Sequence, residues 1–377
     1  MSQAHPTMQD VAREAGVSHQ TVSRVLNDHP HVSPKARAAV EAAIAELGYR
    51  RNTAARSLVT RRSQTIGVLG SEMGAFGPAN TLLGVQQAAR DAGYFVSIAG
   101  LREVTPESIA DAVGHFQDQS VDGIVVVVPH PGTLETLRGL RAGVPVVAVG
   151  TRGEPGIAGV RVDQEQGARD AVEHLLGLGH RSIGHLAGPS GWIDAEARDA
   201  GWRAALAEAG VEVEGAWRRE GDWTAAGGYE AGLALADDVA SQAPGAPTAL
   251  FAANDQMALG VLRALHERGV SVPETVSVVG FDDVPEAGYY IPPLTTVRQD
   301  FEELGRRALA ILVAEIEGAP EPAGRETAGA GATGPGPAGL GQPGLGQPGL
   351  GQPGLGQPGL SQPGLRCRPW ARSSRRS

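Results

Sequence analysis

Cysteine is almost absent from this 377-residue sequence; Cys367 stands alone. A single thiol excludes an intramolecular disulfide and a cysteine metal cluster. Aromatic residues are scarce, at 4%. No uninterrupted apolar run reaches the roughly eighteen residues a membrane span needs, so no span is expected. Met1 to Thr7 is polar and lacks the apolar core of an export signal, so a reducing cytoplasm is the expected compartment. No nucleophile elbow, phosphate loop or paired catalytic carboxylates stand out. Gly177-Leu178-Gly179 ends a helical pattern rather than opening one, the reverse of a dinucleotide loop. His174, His180 and His185 do not share one helix face with carboxylates, so no metal site is expected. Neither an enzyme nor a cofactor is expected.

The net charge of −10 is unevenly spread. Residues 1–64 carry nine basic and five acidic residues, residues 65–365 carry 18 and 37, and residues 366–377 carry five basic and none acidic. A basic head on an acidic body suits a protein that touches DNA at one end.

That head reads as three helices. Thr7 to Asp10 starts the first, with Thr7 as N-cap and Asp10 in the first turn. Gly16-Val17-Ser18 breaks it: Gly16 can take a left-handed turn, Val17 enters the core and Ser18 caps the next helix. In His19–Leu26, Val22, Val25 and Leu26 form one side, and His19, Gln20, Ser23 and Arg24 the other. Ser33-Pro34 opens a third helix that ends at Gly48, with Ala39, Val40, Ala43, Ile44 and Leu47 as its buried face. A polar face of Gln and Arg on a second helix suits readout of base edges in the major groove.

The run Asp10-Val11-Ala12-Arg13-Glu14-Ala15-Gly16-Val17-Ser18, with Thr21-Val22-Ser23-Arg24-Val25-Leu26-Asn27, resembles the lac repressor family. The resemblance extends over about residues 8 to 318. It implies that His19, Gln20 and Arg24 read bases, and that Ser18, Thr21, Ser23, Asn27 and His31 touch the DNA backbone. Such phosphate contacts would make binding salt-dependent. It further implies a hinge helix over Asn52-Thr53-Ala54-Ala55-Arg56-Ser57-Leu58, which folds on DNA in a dimer. Asn52 and Ala55 would contact DNA there, and Leu58 would wedge into the minor groove. Arg61 and Arg62 would meet phosphates.

From Thr65 short apolar strands alternate with amphipathic helices, a βαβ rhythm that implies parallel sheets with helices on both faces. One series comprises 65–69, 95–98, 123–128 and 144–149; a second comprises 160–162, 182–186, 249–252 and 276–279. Helices are expected between them, including 82–91 and 165–178. Two series imply two lobes with a cleft at the strand ends. The expected fold class is therefore an all-α helix-turn-helix headpiece plus an α/β two-lobed body similar to type I periplasmic binding proteins, and a disordered tail. The expected domains are a headpiece over 1–51, a hinge over 52–64, a core over 65–318 and a tail over 319–377. Within the core, lobe 1 spans about 65–162 and 294–318, and lobe 2 about 163–293. The first two crossings between lobes are expected near Asp163 and at Ile291 to Thr296.

The resemblance carries an effector site with it. Arg198, Asn254 and Asp282 match the family's hydroxyl-binding trio, Trp223 and Phe301 its apolar walls, and Gln299 and Ser71 smaller contacts. Planar bidentate groups and an aromatic plate are what a sugar's hydroxyls and C–H face require. Each residue also has an ordinary structural use: Asn254 or Asp282 capping a helix, Arg198 pairing at the surface, Trp223 in a core. The expected function is a DNA-binding repressor released by a sugar, a galactoside first, controlling carbohydrate-use genes; another sugar or a co-repressor is the alternative. A transport sugar-binding protein shares the body but would have no headpiece. The expected partners are operator DNA, the sugar and a second copy of the chain.

From Gly339 the tail repeats Gly-Leu-Gly-Gln-Pro with a period of five, which excludes the three-residue period of collagen and predicts disorder. No apolar strand is evident around 320–327. No leucine heptad is present for tetramerisation, so a dimer is expected.

Overall fold

A computed structural model describes residues 6–49, 62–127, 130–139, 142–151, 153–154, 156–213 and 217–318, and the backbone of 365–366. Two compact units are present, 1–63 and 64–377.

The first unit is built from local signals. Helix α1 (Met8–Glu14) begins in a capping box: Thr7 Oγ1 accepts from the Asp10 amide, and the Asp10 carboxylate accepts from the Thr7 amide at 2.9 Å. Gly16 takes φ +64°, reversing the chain. Ser18 Oγ accepts from the Thr21 amide at 3.1 Å and opens α2 (His19–Leu26). Helix α3 (Pro34–Leu47) starts on the Ser33 cap with proline in its first turn, and stops at Gly48 with φ +61°. Val11, Ala12, Val22, Val25, Val40 and Ala43 bury one core, with Ile44 and Leu47 half-buried against it.

The second unit holds two six-stranded sheets. The first contains β1 (Thr65–Ser71), β2 (Phe95–Leu101), β3 (Gly123–Val127), β4 (Val146–Val149), β5 (Gly153–Glu154) and β6 (Ile157–Val160) in the order β2-β1-β3-β4-β6-β5. All its pairings are parallel except that of β5 with β6; Val68 sits beside Ile98 on one side and Val125 on the other. Central strands without polar alternation are what a sheet covered on both faces requires. Helices α4 (Phe76–Asp91) and α11 (Phe301–Glu317) cover one face, and α5 (Pro106–Asp118) and α6 (Gly132–Gly139) the other.

The second sheet contains β7 (Ile183–Ala187), β8 (Arg218–Glu220), β9 (Ala249–Ala252), β10 (Ser277–Asp282), β11 (Thr295–Arg298) and β12 (Leu365–Arg366) in the order β12-β11-β10-β9-β7-β8. Helices α7 (Gln164–Gly177) and α8 (Ile193–Glu208) pack on one face, and α9 (Ala225–Ala240) and α10 (Asp255–Glu267) on the other.

Three sequence expectations need correction. The strand expected at 160–162 in the second series overlaps at Val160 alone with β6, which pairs with β4 of the first sheet, Val147 beside Ala158; residues 161–162 lie outside any strand. Residues 294–298, expected in lobe 1, form β11 beside β10 of the second sheet, with Val279 opposite Thr295. Val297 is fully buried among the α7 and α8 side chains. The second crossing therefore falls at Gln299-Asp300; Ile291-Pro292-Pro293 is a turn within lobe 2. The tail also supplies β12, antiparallel to β11, where the repeat composition predicted no strand.

Candidate functional site

On the headpiece, burying Val22 and Val25 turns the opposite face of α2 outward. His19, Gln20 and Arg24 are exposed on it. Ser18 and Asn27 have structural duties as well. Ser18 caps α2 and its hydroxyl lies 2.9 Å from that of Thr21. The Asn27 amide donates to the Ser23 carbonyl at 2.9 Å and closes the helix. His31 is exposed, its ring 5.6 Å from that of His29. Asn52, Ala55, Leu58 and Arg61 lie outside the described residues.

In the second unit a cavity of about 620 Å³ opens at the C-terminal ends of the second sheet's strands: Pro189 follows β7, Asp222 follows β8, Asn254 follows β9 and Asp282 ends β10. The segment from Glu72 to Asn80, after β1, closes it from lobe 1. A small chamber of about 50 Å³ adjoins it, lined by Gly150, Gln164, Gln299 and Phe301, and shares Trp192 and Asp194 with it.

Four buried polar side chains form a ring at this place. Arg198 Nε donates to Gln164 Oε1 at 2.9 Å; Gln164 Nε2 donates to Gln299 Oε1 at 2.9 Å; Gln299 Nε2 donates to Asp282 Oδ1 at 2.6 Å. Asp282 Oδ1 closes the ring 3.7 Å from Arg198 Nη2. Arg198 also donates to the Ala253 carbonyl, and its guanidinium lies 3.9 Å from the Phe281 ring centroid. Every ring member is therefore held by the next, which preorganises the two charged groups. Burial pushes the Asp282 carboxyl up to about 6, against the opposing pull of Arg198. Asp282 has φ +118° and Asp283 φ +56°, a backbone distortion of the kind that gathers at binding sites. Behind them Asp255 accepts from Thr296 Oγ1 at 2.6 Å and from the Val284 amide at 2.9 Å. Burial, and then the neighbouring Asp282, raise the Asp255 carboxyl to about 8.

Asn254 lines the cavity while capping α10: its Oδ1 accepts from the Met257 amide and its Nδ2 donates to the Trp223 carbonyl. Trp223, with φ +66°, forms a wall, and its indole lies where a Cβ on Gly188 would stand. Gly188 is thus required by close approach. Of the seven residues expected from the sequence, the structure gathers Arg198, Trp223, Asn254 and Asp282 around the large cavity, and Gln299 and Phe301 around the small one. Ser71 lines neither; it is buried at the end of β1 with its hydroxyl unpartnered. Sequence reasoning missed Gln164, Trp192 and Asp194. Trp192 and Asp194 were within reach of the strand-end rule, since they follow β7 closely.

Among the described residues no group of three or more metal-ligating side chains is placed to hold an ion, and no helix is long and apolar enough to cross a membrane.

Residues 7–52 match the model of the bacterial regulatory proteins of the lacI family, and residues 172–331 that of the periplasmic binding protein-like domain. The lactose operon repressor of Escherichia coli (strain K12) is 36% identical over 313 residues, 83% of this chain and 85% of the relative. The HTH-type transcriptional regulator CelR of Thermobifida fusca is 38% identical over 327 residues, 83% of this chain and 92% of the relative. Among solved structures, the lac repressor dimer bound to operator and the anti-inducer ONPF aligns with a TM-score of 0.71 at 36% identity, covering 83% of this chain and 93% of that one. The complex of the transcriptional regulator CelR with cellobiose aligns with a TM-score of 0.59 at 36% identity, covering 84% and 95%.

Proposed function

Since this chain belongs to the lacI family of bacterial regulatory proteins, we propose that it is a cytoplasmic homodimeric repressor that holds operator DNA through α2 and is released by a galactoside. The observation that carries the effector reading is the ring Arg198–Gln164–Gln299–Asp282 beside the Trp223 wall. It presents a fixed guanidinium and a fixed carboxylate to paired hydroxyls, and an aromatic plate to the C–H face of a sugar. On the DNA side, exposed His19, Gln20 and Arg24 share one helix face and read base edges, while Asn52, Ala55 and Leu58 complete the grip as a hinge. Release follows if the sugar binds more tightly to the lobe arrangement that does not hold operator. The genes controlled are those for carbohydrate use.

A gel shift on a pseudo-palindromic operator from the chain's own upstream region, with galactosides titrated in, tests this. Release at sub-millimolar galactoside supports it; release by another small molecule alone overturns it. Cellobiose is the second reading, because a CelR regulator that this chain matches at 36% identity has been solved in complex with it; cellobiose added to the same titration separates the two.

A further inference from the structure

The cavity contains more binding surface than one sugar ring uses. Trp192 and Trp223 have ring centroids 5.6 Å apart and planes inclined at 68°. A pyranose offers its C–H face to one flat aromatic plate, and two plates at that inclination cannot both lie along it. Trp223 is committed to the inner end, its ring centroid 5.5 Å from the Arg198 guanidinium, which leaves Trp192 for a different ring. The room agrees. At about 30 Å³ per water, 620 Å³ corresponds to roughly twenty waters, and a single hexose fills well under half of that. Two residues beyond Trp192, Asp194 lines both chambers and accepts no hydrogen bond from the described residues. Its burial raises the carboxyl above the ordinary aspartate value, with Arg198 and Arg161 opposing the shift. A half-buried carboxylate without a donor is an open acceptor.

Trp192 is also held from the opposite lobe. His130, which precedes α6, lies with Nδ1 3.0 Å from the Gly191 carbonyl, and its ring meets Trp192 edge-on at 5.2 Å. With Nδ1 protonated, His130 donates this bond across the cleft.

We propose that Trp192 and Asp194 form a second sugar subsite, so that the effector is a disaccharide whose outer ring lies on Trp192 and donates hydroxyls to Asp194, with His130 positioning the plate. This rests on the sugar-effector reading above. Calorimetric titration of the full chain with lactose, cellobiose, maltose and melibiose, and with galactose and glucose as single rings, tests it. One disaccharide is expected to bind at least about thirtyfold tighter than its single rings. Trp192→Ala should shrink that preference to below about threefold while single-ring affinity stays within about threefold. Asp194→Asn should weaken the disaccharide about tenfold. His130→Ala should weaken it too, and leave single rings unaffected, which a merely structural role would not do. Trp192→Phe, which keeps an aromatic plate, should retain most of the preference. A disaccharide that binds no tighter than its single rings, or a preference that survives Trp192→Ala, overturns the subsite and leaves the sugar reading standing. Failure of every sugar to bind overturns both.

Discussion

Gln164→Leu should weaken effector binding although Gln164 lies outside the trio Arg198, Asn254 and Asp282. Leucine has a similar volume and no polar atom. The substitution removes the acceptor of Arg198 Nε, 2.9 Å away, and the donor to Gln299 Oε1, 2.9 Å away. Gln164 and its three partners in the ring are all buried, so water does not replace the lost bonds. A hydrogen bond to a charged group contributes about 1.5–3 kcal/mol and a neutral one about 0.5–1.5 kcal/mol. The two together amount to about 2–4.5 kcal/mol, shared between folding stability and the cost of fixing Arg198 on a sugar. Urea unfolding followed by tryptophan fluorescence, with sugar titration of the same samples, measures both shares. At least a tenfold loss of affinity is expected, about 1.4 kcal/mol. Gln164→Glu should be informative in a different way. It restores an acceptor for Arg198, but Gln299 must then turn its amide to donate to the introduced carboxylate, which points its oxygen at Asp282. A Gln164→Leu protein within about threefold in affinity and about 0.5 kcal/mol in stability would refute the idea that the ring positions Arg198.

Arg24→Ala should leave stability within about 0.5 kcal/mol, because Arg24 is exposed. It should cost about 1–3 kcal/mol on the best operator and relax base preference, as read by gel shifts on single-base operator variants. Gly188→Ala should displace Trp223, whose indole occupies the new Cβ position; a stability loss of about 1–3 kcal/mol and loss of sugar-induced tryptophan fluorescence change are expected, and an unchanged titration would contradict the assigned wall. For pH, Asp282 titrates at about 6 in the free protein. If hydroxyls bind its ionised form, affinity is level above about pH 7 and falls by up to about tenfold per unit below about 6, measurable by titration across about pH 5–8. Stability moves the other way. From about pH 4 to 6 Asp282 is ionised unfolded and protonated folded, so stability falls as pH rises through that window. Asp255, raised to about 8, extends the fall, and Asp194 adds the same sign.

What was legible in the sequence was local. Thr7 with Asp10, Gly16, Ser18, Ser33-Pro34 and Gly48 each act within a turn of chain, and each fixes a helix end where the pattern placed it. The assignment of strands to lobes was not local. Ile157–Val160 and Thr295–Arg298 are each only four residues long, and nothing inside them states which sheet they join; the partners, Val147 and Val279, lie elsewhere in the chain. The proline turn at Ile291 to Leu294 imitates a crossing because prolines break strands whether or not the chain changes lobe. The candidate site divides in the same way. Trp223, Asn254 and Asp282 carry recognisable side chains at or just past strand ends, and Arg198 a buried guanidinium on α8, whereas Gln164 reads as an ordinary first-turn glutamine. Its role exists only through Gln299, 135 residues away.

That pairing has a consequence for release. Gln164 is the first residue of α7, just past the first crossing, and Gln299 sits in the second crossing between β11 and α11. The hydrogen bond between them ties the two crossing segments together, and Arg198 and Asp282 terminate it at either end. A sugar hydroxyl that engages Arg198 or Asp282 therefore competes with, or reinforces, the bonds that hold the crossings. Occupancy of the cleft alone does not decide the outcome. A ligand that fills the cavity and binds both lobe arrangements equally shifts neither, however tightly it binds. On the proposed reading, a ligand whose hydroxyls favour one arrangement of this ring has a direct route to shifting that balance.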